Sequence, residues 1–132
     1  MRGLIGSVLL LACDTCALNV REGRVEVRGA QLYTRIVRPM PMTSQQHFPV
    51  IVCHGGVGSE YLWPLADLVP YRSVVFFDQL GCGRSGNASD YSIEAAVDDM
   101  TVLVKSLGLK RFHLYGHGFG GLSVNSSYIA KS

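Results

Sequence analysis

The segment Tyr115-Gly116-His117-Gly118-Phe119-Gly120-Gly121 has the pattern of a nucleophile-presenting turn with its nucleophile replaced. A Gly-x-Ser-x-Gly turn between a strand and a helix exposes a serine hydroxyl for acyl transfer. Here Gly116 and Gly120 stand at the flanks, and the central residue is Gly118. The central position of such a turn is strained, at a cost of about 1–3 kcal/mol for a non-glycine residue. Gly118 is therefore expected to relax the backbone and to remove the chemistry together.

Two more glycine-rich loops each follow an apolar run. His54-Gly55-Gly56-Val57-Gly58 follows Pro49–Cys53, and Asp78-Gln79-Leu80-Gly81-Cys82-Gly83-Arg84-Ser85 follows Ser73–Phe77. Glycines let backbone N–H groups approach a substrate and face a developing oxyanion. A plain glycine turn with no ligand explains the first loop equally well. In the second loop Asp78 is expected to cap local N–H groups rather than to act on substrate, because turn aspartates bond their own backbone. The same loop fails as a phosphate cradle, since no Gly-Lys-Ser/Thr follows. Ligands bind at the carboxyl ends of strands in open α/β sheets, so the three loops are expected to converge on one site.

The remaining reactive side chains do not complete a catalytic set. His47 lies in a polar loop, His54 in the first glycine loop, His113 in a strand and His117 beside Gly118. None is placed by sequence for a serine–histidine hydrogen bond. Cys13 and Cys16 form a CxxC with no second ligand pair at zinc spacing, and no cofactor signature is present. Cys53 reads as a buried small hydrophobe, and Cys82 as a loop thiol that is not a nucleophile.

The elements that must hold these loops alternate along the chain. Val25 and Val27 alternate with charges in Arg24–Arg28, which suits a half-buried strand. A turn at Gly29-Ala30 leads to a partner strand over Gln31–Val37. Pro39, Pro41 and Thr43–Gln46 read as a loop. Pro49–Cys53, Ser73–Phe77 and Arg111–Tyr115 read as strands buried on both faces, as in parallel sheets. Tyr61–Leu68 reads as a short helix. Ile93, Ala96, Val97, Met100, Leu103, Val104 and Leu107 share one helical stripe, with Ser92 as cap and Gly108 as stop. The order ββ-β-α-β-α-β-α predicts an α/β fold, an antiparallel hairpin leading into a mostly parallel sheet with crossover helices.

Taken together, the three loops resemble the HGGPG, DQxGxGxS and GHSxGG motifs of the proline iminopeptidase group of α/β-hydrolases, in that order. The resemblance runs from about Glu22 to Gly121. It implies the N-terminal half of that fold, ending just after the nucleophile elbow. It also implies an oxyanion hole donated by Gly56 and Phe119, and motif positions at His54, Gly55, Val57, Gly58, Asp78, Gln79, Gly81, Gly83, Ser85, Gly116, His117 and Gly120. The substrate implied is a peptide losing its N-terminal residue, often proline, or a small ester or amide. Val57 replaces the usual proline and Gly118 the serine. In that family the acid and histidine follow the nucleophile, whereas Phe119–Ser132 holds no Asp, Glu or His. His117 does not correspond to the family's general base. Three readings follow: an inactive fragment or degenerate copy, a binding protein using the retained pocket, or an active hydrolase whose true sequence differs at 118 and continues.

Composition narrows the partners. The 132 residues suffice for one small domain. Net charge is +2 with both signs interspersed, which gives nucleic acid no basic patch. Hydrophobic residues make up 48%, and mean hydropathy is +0.22. That apolar balance fits a leader at residues 1–20 ahead of a partial hydrolase domain over 21–132. Arg2 followed by Leu4–Ala12 is a short apolar segment that does not reach membrane-spanning length. Leu10-Leu11-Ala12-Cys13 resembles a lipoprotein box, so membrane attachment would run through a lipidated Cys13. An ordinary hydrophobic N-terminal extension, or an upstream start codon that is not used, is the alternative. The chain is then cytoplasmic, or secreted or lipid-anchored if the leader is used. In the complete fold strand 111–115 is interior. Left as an open edge, it is expected to promote self-association.

Overall fold

The computed structural model describes residues 8–12, 17–40, 47–68 and 72–131. The described strands are β1 (Val8–Ala12), β2 (Ala17–Val27), β3 (Ala30–Met40), β4 (Val50–Cys53), β5 (Val74–Phe77) and β6 (His113–Gly116). They form one sheet in the order β1-β2-β3-β5-β4-β6. Pairing is mixed: β4 runs parallel to β5 and β6, while β1–β2, β2–β3 and β3–β5 are antiparallel. The helices are α1 (Leu65–Leu68), α2 (Ile93–Ser106) and α3 (Phe119–Lys131).

The continuous apolar runs of β4 and β5 follow from burial on both faces. Ile51, Cys53, Val75 and Phe77 point to one side, where they pack with Val25, Leu32, Ile36 and with Met100 and Leu103 of α2. Val52, Val74 and Phe76 point to the other, against Val20, Val37 and Leu62, with Trp63 and Leu65 at the margin. The stripe read on Ile93–Leu107 therefore meets the first face. Ser92 Oγ accepts the Ala95 N–H as its cap.

The hairpin turn falls at Arg28-Gly29, with φ of 50° and 74°, one residue earlier than expected. Two positive φ values match the twist of the flanking strands. The Arg28 guanidinium grips Asp99 of α2 in two bonds of 2.7 and 2.8 Å, which ties the turn to the helix.

Three local readings need correction. Tyr61–Leu68 is not one helix but a 3-10 turn, Glu60–Leu62, followed by α1, with Pro64 immediately ahead of Leu65. Proline favours a helix start and interrupts a continuing helix. Pro39 lies inside β3, opposite Leu18, not in the loop. β3 has no β5 partner beyond Val37, and prolines are tolerated where a ladder is one-sided. The third apolar strand is not buried on both faces: β6 alternates exposed and half-buried residues, because it ends the described sheet. Val8–Ala12, the apolar part of the expected leader, pairs antiparallel with Ala17–Arg21 at the other edge. Cys13 and Cys16, with the lipoprotein-box reading, lie outside the described residues.

Candidate active site

Three parallel strands end side by side, with Cys53 paired to Gly116 across β4 and β6. Their loops consequently leave the same edge of the sheet. Gly55 and Gly56 from the first loop, Gln79 to Cys82 from the second, and Phe119 from the third line a common cavity of about 480 Å³. Tyr91 and Ser92 close its α2 side.

The turn after β6 is built by backbone contact. His117 N–H donates to Cys53 carbonyl at 3.1 Å, and Gly120 N–H to His117 carbonyl at 3.0 Å. Gly120 is buried against the Cys53 carbonyl oxygen, where a β-carbon would collide. A β-carbon on Gly116 would lie 2.5 Å from the Gly120 carbonyl oxygen. The two flanking glycines are thus demanded by packing. Gly118 has φ of 59°, the left-handed region in which a side chain is strained. The expected strain at the central position is present in the backbone, and glycine accommodates it.

Neither the Gly56 nor the Phe119 backbone N–H donates to an acceptor within the described residues. Both residues line the cavity, and Phe119 opens α3, whose first N–H groups have no intrahelical partner. Val57 is 78% exposed at the loop tip.

His54 is fully buried and structural. Gln79 N–H donates to its Nε2 at 2.8 Å, so the ring proton sits on Nδ1, which donates to the Gly55 carbonyl. Burial pushes its pKa down, against the opposing pull of the Gly55 hydrogen bond and the Asp78 charge. Gln79 Nε2 returns a bond to the His54 carbonyl at 2.8 Å. Asp78 is buried and accepts from Ser59 N–H at 2.7 Å and Arg84 N–H at 2.8 Å. One carboxylate therefore clamps the first loop to the second. Ser85 Oγ donates to the Asp78 carbonyl and accepts from Tyr33 N–H at 2.8 Å. Gly58 and Gly83 both lie against the Asp78 carboxylate, and Gly81 lies under the Tyr91 ring.

His47 and His113 are exposed away from the cavity. Cys53 is buried, and burial raises its thiol to about 12. Cys82 reaches the cavity, with its Sγ 3.7 Å from the Gly56 carbonyl, and burial raises its pKa as well. Among the described residues no group of three His, Cys, Asp or Glu side chains could hold a metal, and no helix is long and apolar enough to cross a membrane.

Sequence reasoning missed Tyr61. Its hydroxyl accepts from Gly55 N–H at 2.8 Å and lies 2.9 Å from His117 Nδ1. The residue belongs to a segment read only as helix, and its partners stand 6 and 56 positions away. No local pattern marks such a contact.

The model of a family described as alpha/beta hydrolase fold matches residues 49–125. A proline iminopeptidase of Saccharolobus solfataricus is 36% identical over 112 residues, covering 80% of this chain and 35% of that protein. A proline iminopeptidase of Lactobacillus crispatus is 33% identical over 114 residues, with 80% and 37% coverage. The crystal structure of a proline iminopeptidase-related protein from Thermus thermophilus superposes with a TM-score of 0.73 at 32% identity, over 83% of this chain and 40% of that one. The chain spans a little over a third of the length of these curated relatives.

Proposed function

We propose, for a chain that belongs to the α/β-hydrolase fold family and resembles its proline iminopeptidases, that it carries the oxyanion side of such a site but is silent as a serine hydrolase. The observation behind this reading is Gly118, held at φ 59° between Gly116 and Gly120 where the nucleophile's side chain would project. Glycine offers no atom to attack a carbonyl carbon. Gly56 and Phe119 would still present N–H groups to a carbonyl oxygen in the cavity. Loss of a catalytic serine costs about a millionfold in turnover. An oxyanion hole with binding alone retains about 10³ over water.

The implied substrate class is a peptide with a free N-terminal residue, often proline, or a small ester or amide. The test uses the purified chain with a proline arylamide and a serine-directed fluorophosphonate. The expected result is neither turnover nor covalent label. Turnover abolished by the fluorophosphonate would defeat the reading.

The cavity of about 480 Å³ favours one second reading, a binding role without catalysis. Fold and function separate readily in such families. Titration of a proline-terminated peptide, followed by backbone amide shifts at Gly56 and Phe119, tests it. Binding predicts saturable shifts at both, and unmoved resonances would dismiss it.

A further inference from the structure

The hydroxyl of Tyr61 sits where the first loop, the elbow and the 3-10 turn Glu60–Leu62 meet. It lies 2.8 Å from Gly55 N and 2.9 Å from His117 Nδ1. The Tyr61 and His117 rings meet edge to face, with centroids 5.6 Å apart. A β-carbon at Gly55 would come within 3.1 Å of that hydroxyl and 3.7 Å of His117 Nδ1, so the glycine lets the phenol approach. The turn that carries Tyr61 is itself fixed. Ser59 N–H is held by Asp78, and Trp63 Nε1 donates to Ser59 Oγ at 3.3 Å.

The proton count follows from these partners. Gly55 N–H can only donate, so it takes a lone pair of the phenol oxygen. The phenol keeps one proton, and the acceptor within reach is His117 Nδ1. His117 is then the neutral tautomer protonated at Nε2. We propose that Tyr61 is a positioning residue of the oxyanion loop: its hydroxyl accepts the Gly55 N–H and donates to His117 Nδ1. It thereby locks the loop after β4 to the turn after β6, beside the Gly56 N–H, which is unpaired among the described residues. The proposal rests on the oxyanion reading above for its purpose, but not for its geometry. Tyr61 touches no reacting atom. It acts through Gly55, which borders position 118.

The test is long-range ¹H–¹⁵N correlation of the ¹⁵N-labelled full chain at about pH 8, above the imidazole range. The expected signature is an unprotonated, hydrogen-bonded Nδ1 on His117. In Tyr61→Phe the His117 ring should drift to a tautomer mixture. Gly55 amide exchange should accelerate about 5–10-fold, the worth of one hydrogen bond, while Val75 and Phe77 keep their protection. A purely structural aromatic at 61 would leave the His117 signature unmoved, and that result overturns the proposal. So does a protonated Nδ1 in the wild-type chain. Should Tyr61→Phe lose the Val75 and Phe77 protection, the wild-type tautomer alone decides. None of these readouts depends on turnover, so they stand or fall separately from the silent-hydrolase reading.

Discussion

Gly118 lies against Gly55: a β-carbon built at 118 would meet only the Gly55 α-carbon, at 3.5 Å. Space therefore does not forbid a serine there, but backbone conformation penalises one. We expect Gly118→Ser to fold and to lose about 1–2 kcal/mol of stability from the left-handed φ. Urea denaturation measures this. An unchanged or raised midpoint would show that the turn relaxes when a side chain is added. No peptidase activity should accompany the substitution, because a serine still needs a base.

Gly120 and Gly121 are neighbours in α3 with opposite expectations. Alanine at 120 would drive its β-carbon into the Cys53 carbonyl, which is backbone and cannot swing aside. Helix propensity favours alanine by up to about 1 kcal/mol, but overpacking of this kind costs about 3 kcal/mol and wins. At 121 the nearest atom is 3.7 Å away, ordinary contact, so alanine there should be neutral or stabilising. Thermal melts of the two variants compare them directly. Equal melting temperatures would contradict the packing argument.

Asp78→Ala should remove two charge-assisted bonds and strand the Ser59 and Arg84 N–H groups. The expected loss is about 3 kcal/mol or more. Amide exchange should rise first at Ser59 and Arg84. A loss under about 1 kcal/mol would mean that water replaces the carboxylate without strain.

Acid should weaken the fold in two stages. His54 is held neutral by burial, so its folded pKa lies below the ordinary 6.5. Between those two values the unfolded chain binds the extra proton and the folded chain does not. Stability therefore falls as pH drops through 6.5 and levels off below the folded value. Glu22 follows at lower pH. The hydrogen bond from Tyr33, with help from Arg35, holds its carboxyl below the usual 4.5, so its contribution is present above that value and fades as pH falls below it. Denaturation midpoints across about pH 2 to 8, a range reaching well below both ordinary values, should trace both limbs, and His54→Gln should flatten the upper one. An upper limb that survives His54→Gln would place the titration elsewhere.

The β6 edge should make the chain self-associate. β6 carries Tyr115, 40% exposed, and Leu122 of α3 is 54% exposed. Unpaired strand edges with apolar side chains template pairing, and a lysine blunts them. Size-exclusion elution is expected to shift with concentration, and Tyr115→Lys to reduce that shift. A monomer at every concentration would dispose of the idea.

Much of this arrangement is legible in the residues. Pro49–Cys53 and Ser73–Phe77 announce strands buried on both faces, found at Val50–Cys53 and Val74–Phe77, and the stripe from Ile93 to Leu107 with Ser92 ahead of it announces α2. Arg111–Tyr115 misleads for a reason the run itself does not hold. An apolar strand is buried on both faces only if neighbours exist on both sides, and β6 ends the described sheet. Pro64 divides Tyr61–Leu68 on sequence grounds alone, since a proline breaks a continuing helix and starts a new one.

The residues alone show that the centre of the turn carries no hydroxyl. Gly118 stands where a serine would be, and that is a property of one residue's covalent structure. They also show that three glycine loops follow three apolar runs. What holds those loops to each other emerges only in three dimensions: Asp78 reaching Ser59 across 19 positions, His54 receiving Gln79 across 25, Tyr61 meeting His117 across 56. Periodicity reports contacts within an element, along one helix face or one strand. Hydrogen bonds between strand ends depend on sheet order and register, which bring Cys53 beside Gly116 and leave no trace in local spacing.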